Sequence, residues 1–307
     1  MLKRKDLLGM RELSKEEILE ILKTAQTMRY ILDQNNKKTP HLQGKSVVTL
    51  FYENSTRTRM SFELASKYMS AAAANISASA SSVAKGETLI DTGATLDQMG
   101  TDVIIIRHPM SGAPHLLAQH VKASVINAGD GMNEHPTQCL LDLFTIQRKL
   151  GGVEGLKVAI VGDVAHSRVA RSNLWAMTKL GAEVVLAGPR TLVPQELAAS
   201  GARITYDVDE AVRGADVVMG LRIQRERQQS GLFPSVREYA ALFGIDERRM
   251  ALAKPHAMIM HPGPVNRGVE MTSAMVDSED SVIREQVRNG VAVRMALLYM
   301  LTRGGEK

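Results

Sequence analysis

Short apolar runs alternate along this chain with stretches in which apolar residues recur every three or four positions. Val47, Val48, Leu50 and Phe51 form one such run, and Met60, Leu64 and Tyr68 follow it at helical spacing. Read this way, the first half predicts strands near 46–52, 73–78, 102–107 and 123–127, with helices at about 57–70, 87–99 and 112–120 between them. A longer helix over 135–150 carries Leu140, Leu141, Phe144 and Ile146 and stops at Gly151 and Gly152. An opening helix over 14–32 starts with Ser14 and has Glu17 three residues on, the pattern of a capping box. The second half restarts with the apolar run 157–163 and continues with strands near 183–187, 203–206, 216–220 and 257–260. A last helix over 281–303 shows an apolar face that includes Val287, Val291, Met295 and Leu298.

Strands alternating with helices predict parallel sheets covered on both faces, an α/β fold. The 307 residues leave room for about two domains. The expected architecture is therefore two doubly wound, Rossmann-like domains, over 1–150 and 151–284, with the active site in the cleft between them. The helix from about 285 onward is expected to pack back on the first. Ala71–Ala74 and the Ser/Ala-rich stretch 77–84 suggest a mobile surface loop ending at Lys85 and Gly86.

Composition narrows the function. Aromatic residues are only 4% against 17 methionines, which points to aliphatic, sulfur-filled cores. The single cysteine, Cys139, excludes an intrachain disulfide framework and fits a reducing cytosol. No stretch reaches the roughly 20 apolar residues that span a bilayer, and the charged N-terminus lacks a signal pattern, so a cytoplasmic protein without membrane association is expected. The net charge of +5 suits nucleic acid, an anionic small molecule or mere solubility. Lysines and arginines are dispersed, however, and the tightest group, Arg222, Arg225 and Arg227, has no aromatic residues interleaved as stacking platforms. A small anionic substrate is favoured; a basic nucleic-acid-binding protein on a Rossmann-like scaffold is the distant alternative.

Several chemistries fail on spacing. After Gly162 and Asp163 no second or third glycine completes a dinucleotide fingerprint. Gly44-Lys45-Ser46 precedes its strand, and Thr39 stands where a P-loop needs glycine. None of the eight histidines forms a ligand pair at helical spacing, there is no nucleophile elbow, and Cys139 sits inside an apolar helical run. No cofactor and no metal are expected.

What remains are basic and polar residues just beyond predicted strands, where open α/β sheets bind ligands. Ser55-Thr56-Arg57-Thr58-Arg59 joins the first strand to a helix, and its hydroxyls and guanidinium forks suit phosphate at a helix N-terminus. Arg107-His108-Pro109 follows another strand, and His135-Pro136-Thr137-Gln138 heads a helix. From the second half come Arg168, then Arg222 and Gln224, then His261-Pro262-Gly263-Pro264. Each has a structural alternative: an ordinary N-cap at Ser55, a surface strand end at Arg107, a helix cap at His135, a solvated first-turn residue at Arg168, a charged face at Arg222. Their recurrence at one end of successive strands favours a binding site.

With these motifs and Lys85-Gly86-Glu87 in this order, the chain resembles the carbamoyltransferases over essentially its whole length. Arg222-Ile-Gln-Arg-Glu-Arg227 and His261-Pro-Gly-Pro-Val-Asn-Arg-Gly268 are similar to the aspartate branch. An ornithine enzyme is expected to show His-Cys-Leu-Pro where His261 to Pro264 stand. The resemblance implies transfer of a carbamoyl group from carbamoyl phosphate to L-aspartate, an early step of de novo pyrimidine biosynthesis, with ornithine or another amine as the alternative acceptor.

It also implies roles. Ser55, Thr56, Arg57, Thr58 and Arg107 hold the phosphate, while Thr58, Arg107 and His135 donate to the carbonyl oxygen as it becomes an oxyanion. Gln138 and the backbone carbonyls near Pro262 and Gly263 accept from the carbamoyl NH2. Arg168 takes the α-carboxylate of aspartate, and Arg222 and Gln224 the β-carboxylate. Ser81 and Lys85 reach the carbamoyl phosphate, and Lys85 also the aspartate, from a neighbouring subunit of a homotrimer, with Ser79 and Ser82 close by. Glu53 and Arg227 tie the domains in a closed state. A regulatory chain or a dihydroorotase is an implied further partner. One departure is Ala84, where some relatives carry a second lysine. Gly263-Pro264 resembles a cis peptide of the family, whereas sequence alone predicts trans.

Overall fold

The computed structural model describes residues 2–77, 86–223 and 235–303. They form two compact units, one comprising Met1–Phe144 with Val287–Lys307 and the other Thr145–Gln286. Among the described residues no helix is long and apolar enough to cross a membrane, and no cluster of His, Cys, Asp and Glu is placed to hold a metal.

In the first unit β1 (Ser46–Phe51), β2 (Ala72–Ser77), β3 (Val103–His108) and β4 (Ser124–Asp130) form a parallel sheet in the order β2-β1-β3-β4. The helices are α1 (Lys15–Asp33), α2 (Thr56–Tyr68), α3 (Leu89–Gln98), α4 (Ala113–Ala118) and α5 (Pro136–Leu150), which runs across the division between the units. Val48, Leu50, Ile104, Ile106 and Val125 from three strands meet Leu96, Leu117 and Val121 in one buried cluster. Each such side chain contributes about 1.5–3 kcal/mol when fully buried. Strands covered on both faces read as unbroken apolar runs, which is why they stood out in the sequence.

The capping box of α1 is present: Ser14 Oγ accepts from Glu17 N at 3.1 Å, and Glu17 Oε2 accepts from Ser14 N at 2.9 Å. Such a cap is worth about 1 kcal/mol. The strand predicted near 73–78 is the edge strand β2, which begins at Ala72 and so takes in most of the alanine run also read as part of a loop. Alanine is a poor strand former, and the pairing of Ala72–Ala74 with Ser46–Val48 overrides that preference.

The second unit holds β5 (Lys157–Val161), α6 (Arg168–Lys179), β6 (Glu183–Ala187), a 3-10 turn at Gln195–Ser200, β7 (Arg203–Thr205), α7 (Val208–Val212) and β8 (Val217–Gly220). It continues with α8 (Val236–Phe243), α9 (Glu247–Met250), β9 (Met258–Met260) and α10 (Ser273–Asp277). Its parallel sheet runs β7-β6-β5-β8-β9 over a core of Ala159, Val161, Val185, Val212, Val218 and Ile259.

The last helix, α11 (Ile283–Arg303), differs from its sequence reading. Val287 is 53% exposed, while Gln286, Asn289 and Arg294 are buried. Each buried polar group has a partner: Gln286 Oε1 accepts from His261 N at 3.0 Å, Asn289 Oδ1 from Arg29 Nε at 3.1 Å, and Arg294 Nη1 donates to Ser61 Oγ at 2.9 Å. Hydrophobic periodicity marks only the apolar face, so partners of this kind are invisible to it.

Candidate active site

In a doubly wound sheet, the crevice for a ligand opens beyond the strand ends where the direction of winding reverses. In the first unit the chain passes from β1 outward to β2 and then crosses to β3 and β4, so the reversal lies between β1 and β3. In the second it passes from β5 to β6 and β7 before crossing to β8 and β9, so the reversal lies between β5 and β8. Most of the residues singled out in the sequence fall at these two places.

The first set begins where β1 ends at Phe51. Ser55 takes the N-cap position of α2 with extended backbone, φ −159° and ψ 103°, yet its hydroxyl makes no capping bond. Thr56 and Arg57 are exposed in the first turn and Thr58 is buried beneath them. The first-turn N–H groups and the positive end of the helix therefore stand beside uncommitted hydroxyls, an arrangement suited to a phosphate. Arg59 behaves differently: its guanidinium lies over the Phe51 ring at 5.3 Å.

Arg107 is in register with Phe51 on the neighbouring strand, which brings it to the same end of the sheet. Its Nε donates to Glu53 Oε2 at 3.1 Å, fixing one edge of the guanidinium fork. Glu53 is read in the sequence as a tie between domains; this bond lies within the first unit. His108 shapes the corner beyond β3, accepting from Met110 N at 3.0 Å through Nδ1 while its ring lies 4.5 Å from that of Tyr52. Burial pushes its pKa below the ordinary histidine value, so a neutral ring with its proton on Nε2 is favoured.

His135 precedes α5 and is buried, its carbonyl accepting from Gln138 N and Cys139 N. Pro136 follows at the first helical position, where a missing N–H costs nothing. Two buried acids build the turn ahead of it. Asp130 accepts from Gly112 N at 2.7 Å, Asn127 Nδ2 at 2.8 Å, Asn133 Nδ2 at 3.0 Å and Glu134 N at 3.1 Å. Glu134 accepts from Met10 N at 2.7 Å and Arg11 N at 3.2 Å. Gln138 lies in the first turn of α5 and its Nε2 donates to Asp142 at 2.9 Å. Asp130, Glu134 and Asp142 escaped the sequence reading; only the Gln138–Asp142 spacing of four on a predicted helix was available as a signal.

The second set flanks β5 and β8. Gly162, at φ 136°, lies so close to the end of β8 that an added Cβ would sit 3.0 Å from Leu221 Cβ, so this glycine serves close approach of strand ends. Ser167 caps α6 by accepting from Ala170 N at 3.1 Å, which makes buried Arg168 the first helical residue. A guanidinium at the positive end of a helix is disfavoured alone and favoured with an anion. Arg222, half-buried, follows β8 on the other side of the reversal. Beyond β9, His261 Nδ1 accepts from Gly263 N at 2.8 Å, its Nε2 faces buried Glu270 at 3.4 Å, and Glu270 accepts from Asn266 N at 2.8 Å. The Gly263–Pro264 bond in this turn is cis, unlike the expectation from sequence alone. Ser79, Ser81, Ser82, Lys85, Gln224, Arg225 and Arg227 lie outside the described residues.

The chemistry available is electrostatic. The first set supplies hydroxyls, guanidinium groups and an imidazole for a phosphate and a developing oxyanion; the second supplies two guanidinium groups for carboxylates. Comparison with known proteins fits this division. Residues 5–148 match the carbamoyl-phosphate-binding domain of aspartate/ornithine carbamoyltransferases, and residues 154–301 match their aspartate/ornithine-binding domain. The aspartate carbamoyltransferase catalytic subunit of Acetivibrio thermocellus is 71% identical over 99% of this chain and 97% of its own length. A Trypanosoma cruzi aspartate transcarbamoylase structure with N-(phosphonacetyl)-L-aspartic acid is 33% identical with a TM-score of 0.86, covering 96% of this chain and 94% of its own. Ornithine carbamoyltransferase from Pyrococcus furiosus is 34% identical with a TM-score of 0.87, over 98% of both chains. With both halves matched in order, this chain belongs to the aspartate/ornithine carbamoyltransferase family.

Proposed function

We propose that the protein transfers the carbamoyl group of carbamoyl phosphate to the amine of L-aspartate, giving N-carbamoyl-L-aspartate and phosphate. The observation that carries this reading is the pair of guanidinium groups, Arg168 and Arg222, on either side of the β5/β8 reversal. Two fixed positive charges suit a dicarboxylate and oppose the cationic side chain of ornithine. Backbone likeness does not separate the branches, since the aspartate and ornithine structures superpose equally well. The 71% identity to an aspartate carbamoyltransferase catalytic subunit supports the aspartate side.

In this reading Ser55, Thr56, Arg57 and Thr58 bind the phosphate at the head of α2, together with Arg107. Thr58, Arg107 and His135 donate to the carbonyl oxygen, while Gln138 and the carbonyls of Pro262 and Gly263 accept from the carbamoyl NH2. Arg168 takes the α-carboxylate of aspartate and Arg222, with Gln224, the β-carboxylate. The amine lone pair forms the new C–N bond, and negative charge collects on the carbonyl oxygen, where those donors stabilise it. The C–O bond to phosphate then breaks, and the departing phosphate keeps the electron pair and accepts the amine proton. Supplying aspartate and ornithine in turn with carbamoyl phosphate tests the acceptor: the ureido product is expected from aspartate only, and citrulline formation would move the protein to the other branch.

The reading extends to a cytoplasmic homotrimer in which Ser81 and Lys85 serve a neighbour's site. Arg57→Ala and Lys85→Ala chains, each inactive alone, are then expected to regain partial activity when mixed and reassembled. Mixed trimers that stay inactive would remove the sharing.

A further inference from the structure

A carboxamide has nearly the same shape in its two flips, but one presents an acceptor where the other presents two donors. If Gln138 is to accept from a carbamoyl NH2, the wrong flip sets N–H against N–H. Backbone geometry cannot choose between them, because both fit the same space. Recognition of the carbamoyl group therefore needs a second group that fixes the flip.

Asp142 is placed to do so. It lies one helical turn beyond Gln138 on α5 and is fully buried, with Oδ1 2.9 Å from Gln138 Nε2. A carboxylate has lone pairs and no donor, so only the flip with Nε2 turned inward satisfies both partners. The carboxamide oxygen of Gln138 then faces away from Asp142. A buried cation on α11 interacts with Asp142. Arg294 on α11 is wholly buried, its pKa brought down to about 10 by burial, and Asp142 is the negative charge that opposes this shift. Arg294 in turn donates to Ser61 on α2 at 2.9 Å and lies over the Phe62 ring at 5.1 Å. Gly290 leaves it room, since a Cβ there would sit 2.6 Å from Nη1. All of these groups belong to the first unit.

We propose that Asp142 is a positioning residue that locks the Gln138 carboxamide oxygen outward, and that this lock makes the site prefer an acyl phosphate bearing NH2 to one bearing CH3. The inference rests on the reading that Gln138 faces the carbamoyl group. Acetyl phosphate, the methyl isostere of carbamoyl phosphate, offers the locked oxygen nothing to accept and leaves it desolvated.

Calorimetric titration of the full-length protein with fresh carbamoyl phosphate and with acetyl phosphate tests this. The parent is expected to favour carbamoyl phosphate. In Asp142→Asn the new carboxamide pairs with Gln138 in either flip. Carbamoyl phosphate binding is expected to weaken about tenfold and acetyl phosphate binding to change less than about twofold. In a Gln138→Ala background, already non-selective, Asp142→Asn is expected to add less than about twofold. Should the loss of charge beside Arg294 prevent folding, Asp142→Asn/Arg294→Gln leaves no unopposed buried charge and carries the same comparison. Equal weakening of both ligands, or an unchanged preference, would overturn the lock. A parent protein that binds neither acyl phosphate would instead sink the carbamoyl-transfer reading beneath it.

Discussion

His135→Ala is expected to lower turnover about 100- to 1000-fold while the fold and the KM for carbamoyl phosphate stay within a few-fold of the parent. The separation follows from what the residue does in each capacity. Its structural contribution is made by the backbone: the His135 carbonyl starts α5 by accepting from Gln138 N and Cys139 N, and alanine keeps that carbonyl. The turn ahead of it is held by Asp130 and Glu134, whose bonds to Gly112, Asn127, Met10 and Arg11 do not involve the imidazole. In the proposed reading the phosphate is held at the head of α2 by Ser55, Thr56, Arg57 and Thr58, apart from the imidazole. The role proposed for the imidazole is donation to the carbonyl oxygen, whose charge grows only as the amine attacks, so its loss is expected to be felt in the transition state more than in the ground state. Steady-state kinetics alongside a thermal melt checks this. A parallel rise in KM with unchanged turnover would place His135 among the binding groups, and a large drop in melting temperature would make its role structural.

The strands and the candidate anion-binding residues were legible in the sequence because both leave local marks. Buried parallel strands appear as unbroken apolar runs, and a ligand set at strand ends appears as polar residues immediately after them. Ser55–Thr58, Arg107, Arg168 and Arg222 were found this way, and the structure puts each at a winding reversal that strand order alone defines. What escaped were the groups behind them. Asp130, Glu134, Asp142 and Arg294 are buried polar residues, and Glu134 and Arg294 take partners far off in sequence, Met10 and Ser61, whereas Asp142 bonds Gln138 one turn away on its own helix. Periodicity treats a buried acid as a break in a pattern, and only the fold supplies the donors that make its burial tolerable. The alanine run was read both as the start of a strand near 73–78 and as part of a loop, and only its pairing with β1 decides for the strand.

Arg168→Ala is expected to reduce kcat/KM for aspartate about 100- to 1000-fold, chiefly through KM, with the affinity for carbamoyl phosphate little changed. Arg168 is 3% exposed and held by its helix: Ser167 caps α6 through Ala170 N, which fixes the arginine as the first residue of the helix. A carboxylate that loses this partner is left largely desolvated without its charge-assisted bonds, which is far costlier than losing an exposed pair. The helix itself is expected to survive, because alanine is the best helix former and removing a cation from the positive end of the dipole is mildly favourable. Arg168→Lys separates charge from geometry. The ammonium keeps the positive charge but cannot offer two parallel donors, so it is expected to recover only about a tenth of the lost efficiency. Full recovery by lysine would reduce the residue to a point charge, and an aspartate KM within threefold of the parent in Arg168→Ala would remove it from the carboxylate site.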